Sequence, residues 1–161
     1  MSGINLSKIM PYEHLKKVTV DWSYPRLLDK LWYDEQLEGF GLYYISRKFG
    51  SKETLLYIGK TCNKFYIRLL AHDYNWLSDY RGKKYIRLGT ITYPTNKTDD
   101  DLCQLIQDIE NALIYEMRWS LIKNTKGMNG YTPKNLYIVT NTGYRGELSP
   151  TISMRSHEGS D

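Results

Sequence analysis

The sequence predicts an α+β protein with a small central, mostly antiparallel three-stranded sheet that is flanked by helices. Two segments rich in glycine and tyrosine, GLYYI at 41–45 and LLYIGKT at 55–61, are typical of neighbouring strands. A third segment, YIRLGTITY at 85–93, alternates in the manner of a strand. Segments with helical spacing of apolar residues precede, separate and follow these three, and a short C-terminal strand is also expected.

The first 39 residues are predicted to form an N-terminal helical extension. Residues 7–38 contain two helical pieces, and the Ser23 hydroxyl can cap the second of them. Pro25 suits the first turn of that helix, where no backbone N–H is needed. The extension precedes a predicted main domain over residues 40–148.

The next elements are a hairpin, a helix and a strand. The hairpin pairs strands over 40–47 and 54–60 around a polar turn at 49–53. A helix is predicted over 64–78, because large side chains recur there at helical spacing. A basic turn, RGKK, then leads into the strand over 85–93.

The longest predicted helix runs from Thr98 to about Lys123. Three aspartates stand in its first turn, where the helix dipole favours negative charge. Gly127 is the predicted stop signal, and a short strand follows over 136–139. The polar residues 149–161 are expected to be a mobile tail.

Composition narrows the class of protein. The chain has 161 residues, of which 41% are hydrophobic, so one folded domain is expected. No run of 18 or more apolar residues is present, which excludes a membrane-spanning helix, and no signal peptide is visible. Cys62 and Cys103 stand alone without metal-ligand spacing, so a cytoplasmic protein is expected. The net charge of +4 is compatible with a polyanionic partner.

Glu116 interrupts the apolar face of the long helix. It lies seven residues after Ile109 and four after Ala112, so it continues their stripe. A carboxylate on a core-facing stripe is costly unless it is paired or bound to a cation. Glu110 lies about 120° away around the helix and is expected to face water. Periodicity leaves two interpretations of Glu116 open, a salt bridge with Arg68 and a metal ligand.

Arg68 and His72 supply a second candidate pair. They are four residues apart on a predicted helix, so they share one face. A guanidinium can bind a phosphate and an imidazole can move a proton. The same spacing is also common for a solvated arginine beside a half-buried histidine.

These motifs together resemble the GIY-YIG nuclease superfamily. GLY at 41–43 and YIG at 57–59 are similar to the two motifs that name the family, with Leu42 in place of the isoleucine. Lys60 follows the second motif, as is frequent in the family. Arg68 and His72 fall on the following helix, where the family places its arginine and its histidine or tyrosine.

The resemblance continues along the late helix and covers about residues 40–130, so the domain over 40–148 is expected to be a GIY-YIG-like nuclease domain. ALIYE at 112–116 is similar to the family segment that ends in a metal-binding glutamate. Asn129 matches the asparagine that follows this helix, and Asn124 is a competitor for that position.

The resemblance implies a divalent-metal-dependent DNA endonuclease that leaves 5′-phosphate and 3′-hydroxyl ends. The implied catalytic residues are Tyr43, Tyr57, Lys60, Arg68, His72, Glu116 and Asn129. Glu116 would hold one Mg²⁺ or Mn²⁺ ion per active site, since these hard cations prefer oxygen ligands. Either Tyr43 or His72 would activate the attacking water, and the sequence leaves both open.

A standalone restriction-type enzyme acting on double-stranded DNA is the first interpretation. About 30 residues follow Asn129, which is too few for a separate DNA-binding domain. The expected DNA contacts are Arg47, Lys48, Lys52, Arg81, Lys83, Lys84 and Arg87. The alternatives are a phage or mobile-element nuclease of loose specificity and a catalytically silent nucleic-acid-binding module. A homodimer or a higher homo-oligomer is compatible with each of them.

Overall fold

The computed structural model describes residues 16–92 and 99–155. In this part of the chain, seven strands form one sheet that curls like half a barrel, and three α-helices pack against it. The strands are β1 (Lys16–Trp22), β2 (Arg26–Leu27), β3 (Gly41–Phe49), β4 (Lys52–Thr61), β5 (Lys83–Thr92), β6 (Tyr137–Gly143) and β7 (Thr151–Ser153). The helices are α1 (Leu28–Leu31), α2 (Phe65–Asn75) and α3 (Asp99–Glu116), with short 3₁₀ turns at Glu35–Glu38 and Leu77–Asp79.

The sheet mixes parallel and antiparallel pairs. Its strand order is β4-β3-β5-β1-β6-β7, with β2 paired to β5. Strands β1 and β6 run parallel, and the other pairs are antiparallel. The predicted fold class, α+β around a three-stranded sheet, is therefore wrong, and the fold is a mixed α/β arrangement.

Strand β1 replaces part of the predicted helical extension. Val18, Val20 and Trp22 alternate with more exposed residues and are buried in the core, which is the pattern of a strand rather than a helix. The Ser23 hydroxyl accepts a hydrogen bond from the Leu88 main-chain N–H at 2.9 Å and caps no helix. The prediction of helix is therefore wrong for residues 16–22, and its residues 7–15 lie outside the described part.

The predicted hairpin and the helix after it are confirmed as β3, β4 and α2. Strand β3 is buried on both faces, because α3 covers one side of the sheet while α1 and α2 cover the other. Leu42 and Tyr44 belong to the core under α3. Tyr43 and Ile45 belong to the core under α1 and α2. The alternation of β3 therefore places Tyr43 on the side of α2.

The C-terminal third differs from the prediction at both ends. Helix α3 ends at Glu116 instead of continuing to about Lys123, and its predicted start at Thr98 lies outside the described residues. Strand β7 lies within the predicted mobile tail and pairs with β6, with Ile152 and Met154 buried. No helix in residues 16–92 and 99–155 has the length and apolar character that a membrane crossing requires.

Candidate active site

The glycines of the two motifs allow close approaches that any side chain would block. Gly59 on β4 is the register partner of Tyr43 on β3. A Cβ at Gly59 would lie 2.4 Å from both Cζ and Oη of Tyr43, so the tyrosine ring needs this glycine to cross the neighbouring strand. Gly41 has φ +142° and a Cβ there would lie 2.6 Å from the carbonyl oxygen of Gly89. Gly59 therefore makes room for the Tyr43 ring, and Gly41 allows β3 to approach β5 closely.

Tyr43 is fully buried, and its hydroxyl lies 2.7 Å from Nε2 of His72. Its ring stacks on that of Tyr57, with 6.1 Å between the ring centroids. Burial and the nearby Tyr57 raise the pKa of Tyr43 well above the ordinary tyrosine value, against the opposing effect of Arg68. The positive charge of Arg68 favours the Tyr43 phenolate, but burial outweighs it and keeps the hydroxyl neutral.

His72 is a neutral imidazole at physiological pH. Burial and, to a smaller extent, the positive charge of Arg68 lower the pKa of His72 to about 4. Both ring nitrogens are hydrogen-bonded, Nε2 with Tyr43 and Nδ1 with the indole N–H of Trp76 at 2.9 Å. The ring is thus held by contacts on both sides.

A cleft of about 730 Å³ opens beside β4, between α2 and α3. It is lined by residues 57, 60–63, 68, 107, 110, 111, 114 and 123–126. Arg68 reaches it from α2, where its guanidinium interacts with the hydroxyls of both Tyr43 and Tyr57. The structure therefore brings together five of the predicted site residues, namely Tyr43, Tyr57, Lys60, Arg68 and His72.

The two glutamates of α3, Glu110 and Glu116, do not lie where the sequence predicts them. Glu110 lines the cleft and Glu116 does not. Glu116 is exposed at the last position of α3, where its carboxylate accepts a hydrogen bond from the Ser149 hydroxyl at 3.4 Å. The expectation is therefore wrong for both residues, because Glu116 is exposed and Glu110 is half-buried at the cleft that Arg68 also lines.

The surroundings of Glu110 make its carboxylate unusual. Burial raises the pKa of Glu110, and the positive charges of Lys60 and Arg68 partly oppose this rise. Gln107 donates a hydrogen bond to the carboxylate at 3.2 Å, and the main-chain N–H of Lys60 donates another. A carboxylate with a raised pKa beside cations in a cleft is typical of a functional site.

The sequence contained a signal for Glu110 that the apolar stripe concealed. Ile106 lies four residues before Glu110 and Ile114 four residues after it, and both isoleucines are buried. Residues four apart share a helix face, so Glu110 stands on a covered face. That face borders the edge of β4, where the cleft is.

Asn124, not Asn129, lies at the cleft. The Asn124 carboxamide accepts from the Ile58 N–H at 3.0 Å and donates to the Ile58 carbonyl at 2.8 Å. The adjacent Lys123 N–H donates to the Leu56 carbonyl at 2.9 Å. These bonds satisfy the free edge of β4 and hold the strand on either side of Tyr57, whereas Asn129 is exposed.

Most of the predicted DNA contacts lie at one end of the sheet. Arg47 and Lys48 on β3 pair in register with Lys84 and Lys83 on β5. Lys52 begins β4 in the adjoining hairpin, and Arg81 lies just before β5. The Arg47 guanidinium stacks over the ring of Tyr80 at 5.2 Å.

Arg87 is different, because it is only 7% exposed. Its guanidinium bonds the Glu53 carboxylate at 2.7 Å and lies 4.8 Å above the Tyr44 ring. Partial burial opposes ionisation of Glu53, but hydrogen bonds from Arg87 and Ser46 lower its pKa. This placement removes Arg87 from the candidates for DNA contact and makes it a core residue.

We expect Arg87→Met to lower the free energy of unfolding by roughly 1.5–3 kcal/mol, the usual effect of losing a hydrogen bond to a charged group. The loss should be measured by urea unfolding at pH 7. Because Glu53 has a lowered pKa in the folded state, the stability from this pair is present above the ordinary pKa of 4.5 and fades as the pH falls below it. Arg81→Met is the matched control, and an equal loss of unfolding free energy in that variant would contradict the assignment of Arg87 to the core.

No family model, no characterised protein and no solved structure matches this chain. The chemistry of the cleft is therefore inferred from its own side chains. A hydroxyl, a guanidinium, an ammonium and a carboxylate converge there from β4, α2 and α3. These groups suit a reaction at an anionic centre that needs both positive charge and one basic oxygen.

Proposed function

We propose that this chain is a divalent-metal-dependent DNA endonuclease of the GIY-YIG type that hydrolyses phosphodiester bonds. The observation that carries the proposal is the convergence of Tyr57, Arg68 and Glu110 in one cleft, with Tyr43 and His72 behind them. The two motif strands and the arginine helix have the order that the resemblance implies. Glu110 takes the place that the sequence gave to Glu116.

The charge of the cleft favours a polyanionic substrate. One carboxylate, that of Glu110, stands among the lining side chains. The cations that line the same cleft are Lys60, Arg68, Lys123 and Lys126. The Lys123 ammonium also lies 5.5 Å from the Trp76 ring and 5.6 Å from the Tyr80 ring, and Arg47 lies 5.2 Å from the same Tyr80 ring. Aromatic rings interleaved with cations are typical of nucleic-acid surfaces.

The chain's own residues would act mainly by binding and polarising the phosphate. The Arg68 guanidinium is a planar donor that can contact two non-bridging oxygens at once. The Tyr57 hydroxyl can donate to the same phosphate. A water oxygen would attack phosphorus and release its proton to solvent, while the bond to the 3′ oxygen would break and that oxygen would take a proton from solvent, giving a 5′-phosphate and a 3′-hydroxyl. Donors aimed at the developing negative charge lower the barrier of such a step.

A divalent ion fits this cleft when a phosphate is also bound. Among the residues that the structure describes, no group of three or more histidine, cysteine, aspartate or glutamate side chains could hold a metal ion. Mg²⁺ often binds through one or two carboxylates plus substrate phosphates, so Glu110 alone can be its protein ligand. The bound ion would neutralise charge on the leaving oxygen. Because Lys60 and Arg68 repel a cation, we expect metal affinity to rise when DNA is present.

The proposed setting is a cytoplasmic enzyme that acts on double-stranded DNA as a restriction-type nuclease. Cys62 and Cys103 are both free thiols, which suits a reducing compartment. The basic end of the sheet, with Lys83 and Lys84, provides a second surface for the DNA backbone.

Cleavage of supercoiled plasmid with Mg²⁺ and with EDTA tests the proposal. We expect metal-dependent nicked or linear products with 5′-phosphate ends, and a loss of about a hundredfold or more in Arg68→Met, the scale for losing one donor to the transition state. Arg118→Met is the matched control, because Arg118 stacks on Tyr115 and Trp119 away from the cleft. DNA binding without cleavage in Mg²⁺ or Mn²⁺ would instead identify a binding module and refute the proposal.

DNA affinity should fall steeply with salt, and the cleft lysines should contribute to the slope. Each phosphate contact that is lost should reduce the log–log salt slope by about one. The double variant Lys123→Ala and Lys126→Ala is therefore expected to reduce the slope by about two. Lys134→Ala, an exposed lysine before β6, should leave it unchanged. An unchanged slope in the double variant would remove these lysines from the DNA surface.

A further inference from the structure

Trp76 fixes the position of the hydrogen on the His72 ring. The Trp76 indole N–H lies 2.9 Å from Nδ1 of His72. An indole nitrogen can donate a hydrogen bond and cannot accept one, so Nδ1 must present its lone pair. A neutral imidazole carries one hydrogen, which is then on Nε2.

Nε2 in turn lies 2.7 Å from the Tyr43 hydroxyl oxygen. With the hydrogen on Nε2, His72 donates and the Tyr43 oxygen accepts. The Tyr43 hydrogen must then point to another acceptor. Arg68 interacts with the same hydroxyl, but a guanidinium has donors alone. Tyr57, whose ring stacks on that of Tyr43 with 6.1 Å between the centroids, has the hydroxyl that interacts with that of Tyr43, whereas Glu110 acts on Tyr43 through its charge and not through a hydrogen bond.

We propose that Trp76 is a positioning residue that holds His72 as its Nε2–H tautomer and thereby directs a chain of hydrogen bonds from Trp76 through His72 and Tyr43 to Tyr57. The role of this series of hydrogen bonds in catalysis rests on the proposed function. Tyr57 accepts from Tyr43, so the Tyr57 hydrogen is free to point into the cleft. The chain ends in a donor aimed at the place where a phosphate oxygen would lie.

The direction of these hydrogen bonds excludes both candidates for water activation, Tyr43 and His72. His72 has no free lone pair at Nε2 in this tautomer, so it cannot take a proton from Tyr43. Tyr43 is buried as a neutral hydroxyl that is already donating. Tyr43 and His72 therefore hold Tyr57 and Arg68 in place as hydrogen-bond donors. Neither Tyr43 nor His72 acts as a general base.

Nitrogen-15 NMR of the imidazole rings tests the tautomer directly. In the native protein at pH 7, we expect the His72 shifts of an Nε2–H ring with an unprotonated Nδ1. In Trp76→Phe, Nδ1 loses its donor, and we expect signal from the Nδ1–H form. Trp32→Phe is the matched control, because Trp32 stacks on Tyr66 and not on His72. An Nδ1–H ring in the native protein would overturn the proposal.

Single-turnover cleavage tests the catalytic consequence. Trp76→Phe is expected to lower the rate about tenfold or more, the scale for losing a residue that orients a functional group, with little change in DNA binding. A changed tautomer with a native rate would overturn the positioning role. The NMR result does not depend on cleavage, so a protein with the expected tautomer and no nuclease activity would refute the proposed function alone.

Discussion

Gly59→Ala is expected to abolish cleavage and to lower the free energy of unfolding by about 3 kcal/mol, the upper end of the usual range for overpacking. The added methyl group would lie 2.4 Å from the Tyr43 ring and 2.6 Å from that of Tyr57. Neither β3 nor β4 can yield easily, because both strands are buried between layers. The Tyr43 ring must therefore leave its place, and its bond to His72 is lost. Urea unfolding and single-turnover cleavage measure the two effects.

Gly50→Ala separates this steric effect from a general cost of losing glycine. Gly50 lies in the turn of the same hairpin with φ +66°, and nothing lies within 4 Å of its added Cβ. Alanine there should cost about 1–2 kcal/mol, the penalty for a left-handed conformation, and should leave cleavage unchanged. If Gly59→Ala proves as active as Gly50→Ala, the close approach of Tyr43 to β4 does not matter for the site.

The part of the site that the sequence predicted depends on local geometry. A hairpin places Tyr43 and Tyr57 on adjacent strands, and alternation decides that both face α2. Helical spacing then places Arg68 and His72 on one face of the next helix. These relations involve short stretches of chain, so motif spacing was sufficient to predict that the four side chains meet.

The rest of the sheet depends on pairings between distant segments. Strand β1 pairs in parallel with β6, whose residues come about 120 positions later, as in the pairing of Val18 with Val139. A lone alternating run such as KKVTVDW cannot form a strand by itself, and nothing local identifies its partner. Strand β7 has three residues and depends on β6 to be a strand at all. Sequence patterns alone could not give the seven-stranded sheet.

The wrong prediction for the positions of Glu110 and Glu116 has a similar origin. Periodicity gives the direction of a side chain around the helix axis, but it does not say where the covering layer ends. Glu116 points along the same stripe as Ile109, yet it stands at the end of α3, where Met117 takes the buried place. Glu110 points away from the stripe and still meets protein, because β4 and residues 123–126 extend beside α3.

Glu110→Gln is expected to abolish Mg²⁺-dependent cleavage while leaving the protein as stable as the native chain or more stable. The glutamine keeps the shape of the glutamate side chain, and its amide oxygen can still accept a hydrogen bond from Gln107. Because it carries no negative charge, it can neither hold a cation nor take up a departing proton. Because the folded state raises the pKa of Glu110, the ionised carboxylate opposes folding above its ordinary pKa of 4.5. Below that value Glu110 is protonated in both the folded and the unfolded native chain. The stability advantage of the Glu110→Gln variant should therefore vanish at low pH and grow as the pH rises through the raised pKa of the folded state.

Glu116→Gln is the matched control on the same helix, and we expect it to cut DNA at the native rate because its side chain is exposed beside Ser149. Rates should be measured in single turnover with saturating Mg²⁺, and unfolding should be followed from about pH 4 to about pH 8 for both variants, a range that begins below the ordinary carboxyl pKa. A loss of about a hundredfold or more is the scale for removing a group that acts in the transition state.

Loss of activity in Glu116→Gln with native rates in Glu110→Gln would restore ALIYE as the metal-binding segment. A Glu110→Gln protein that is both inactive and clearly less stable would show that Glu110 supports the fold, because relief of a buried charge cannot destabilise the native state.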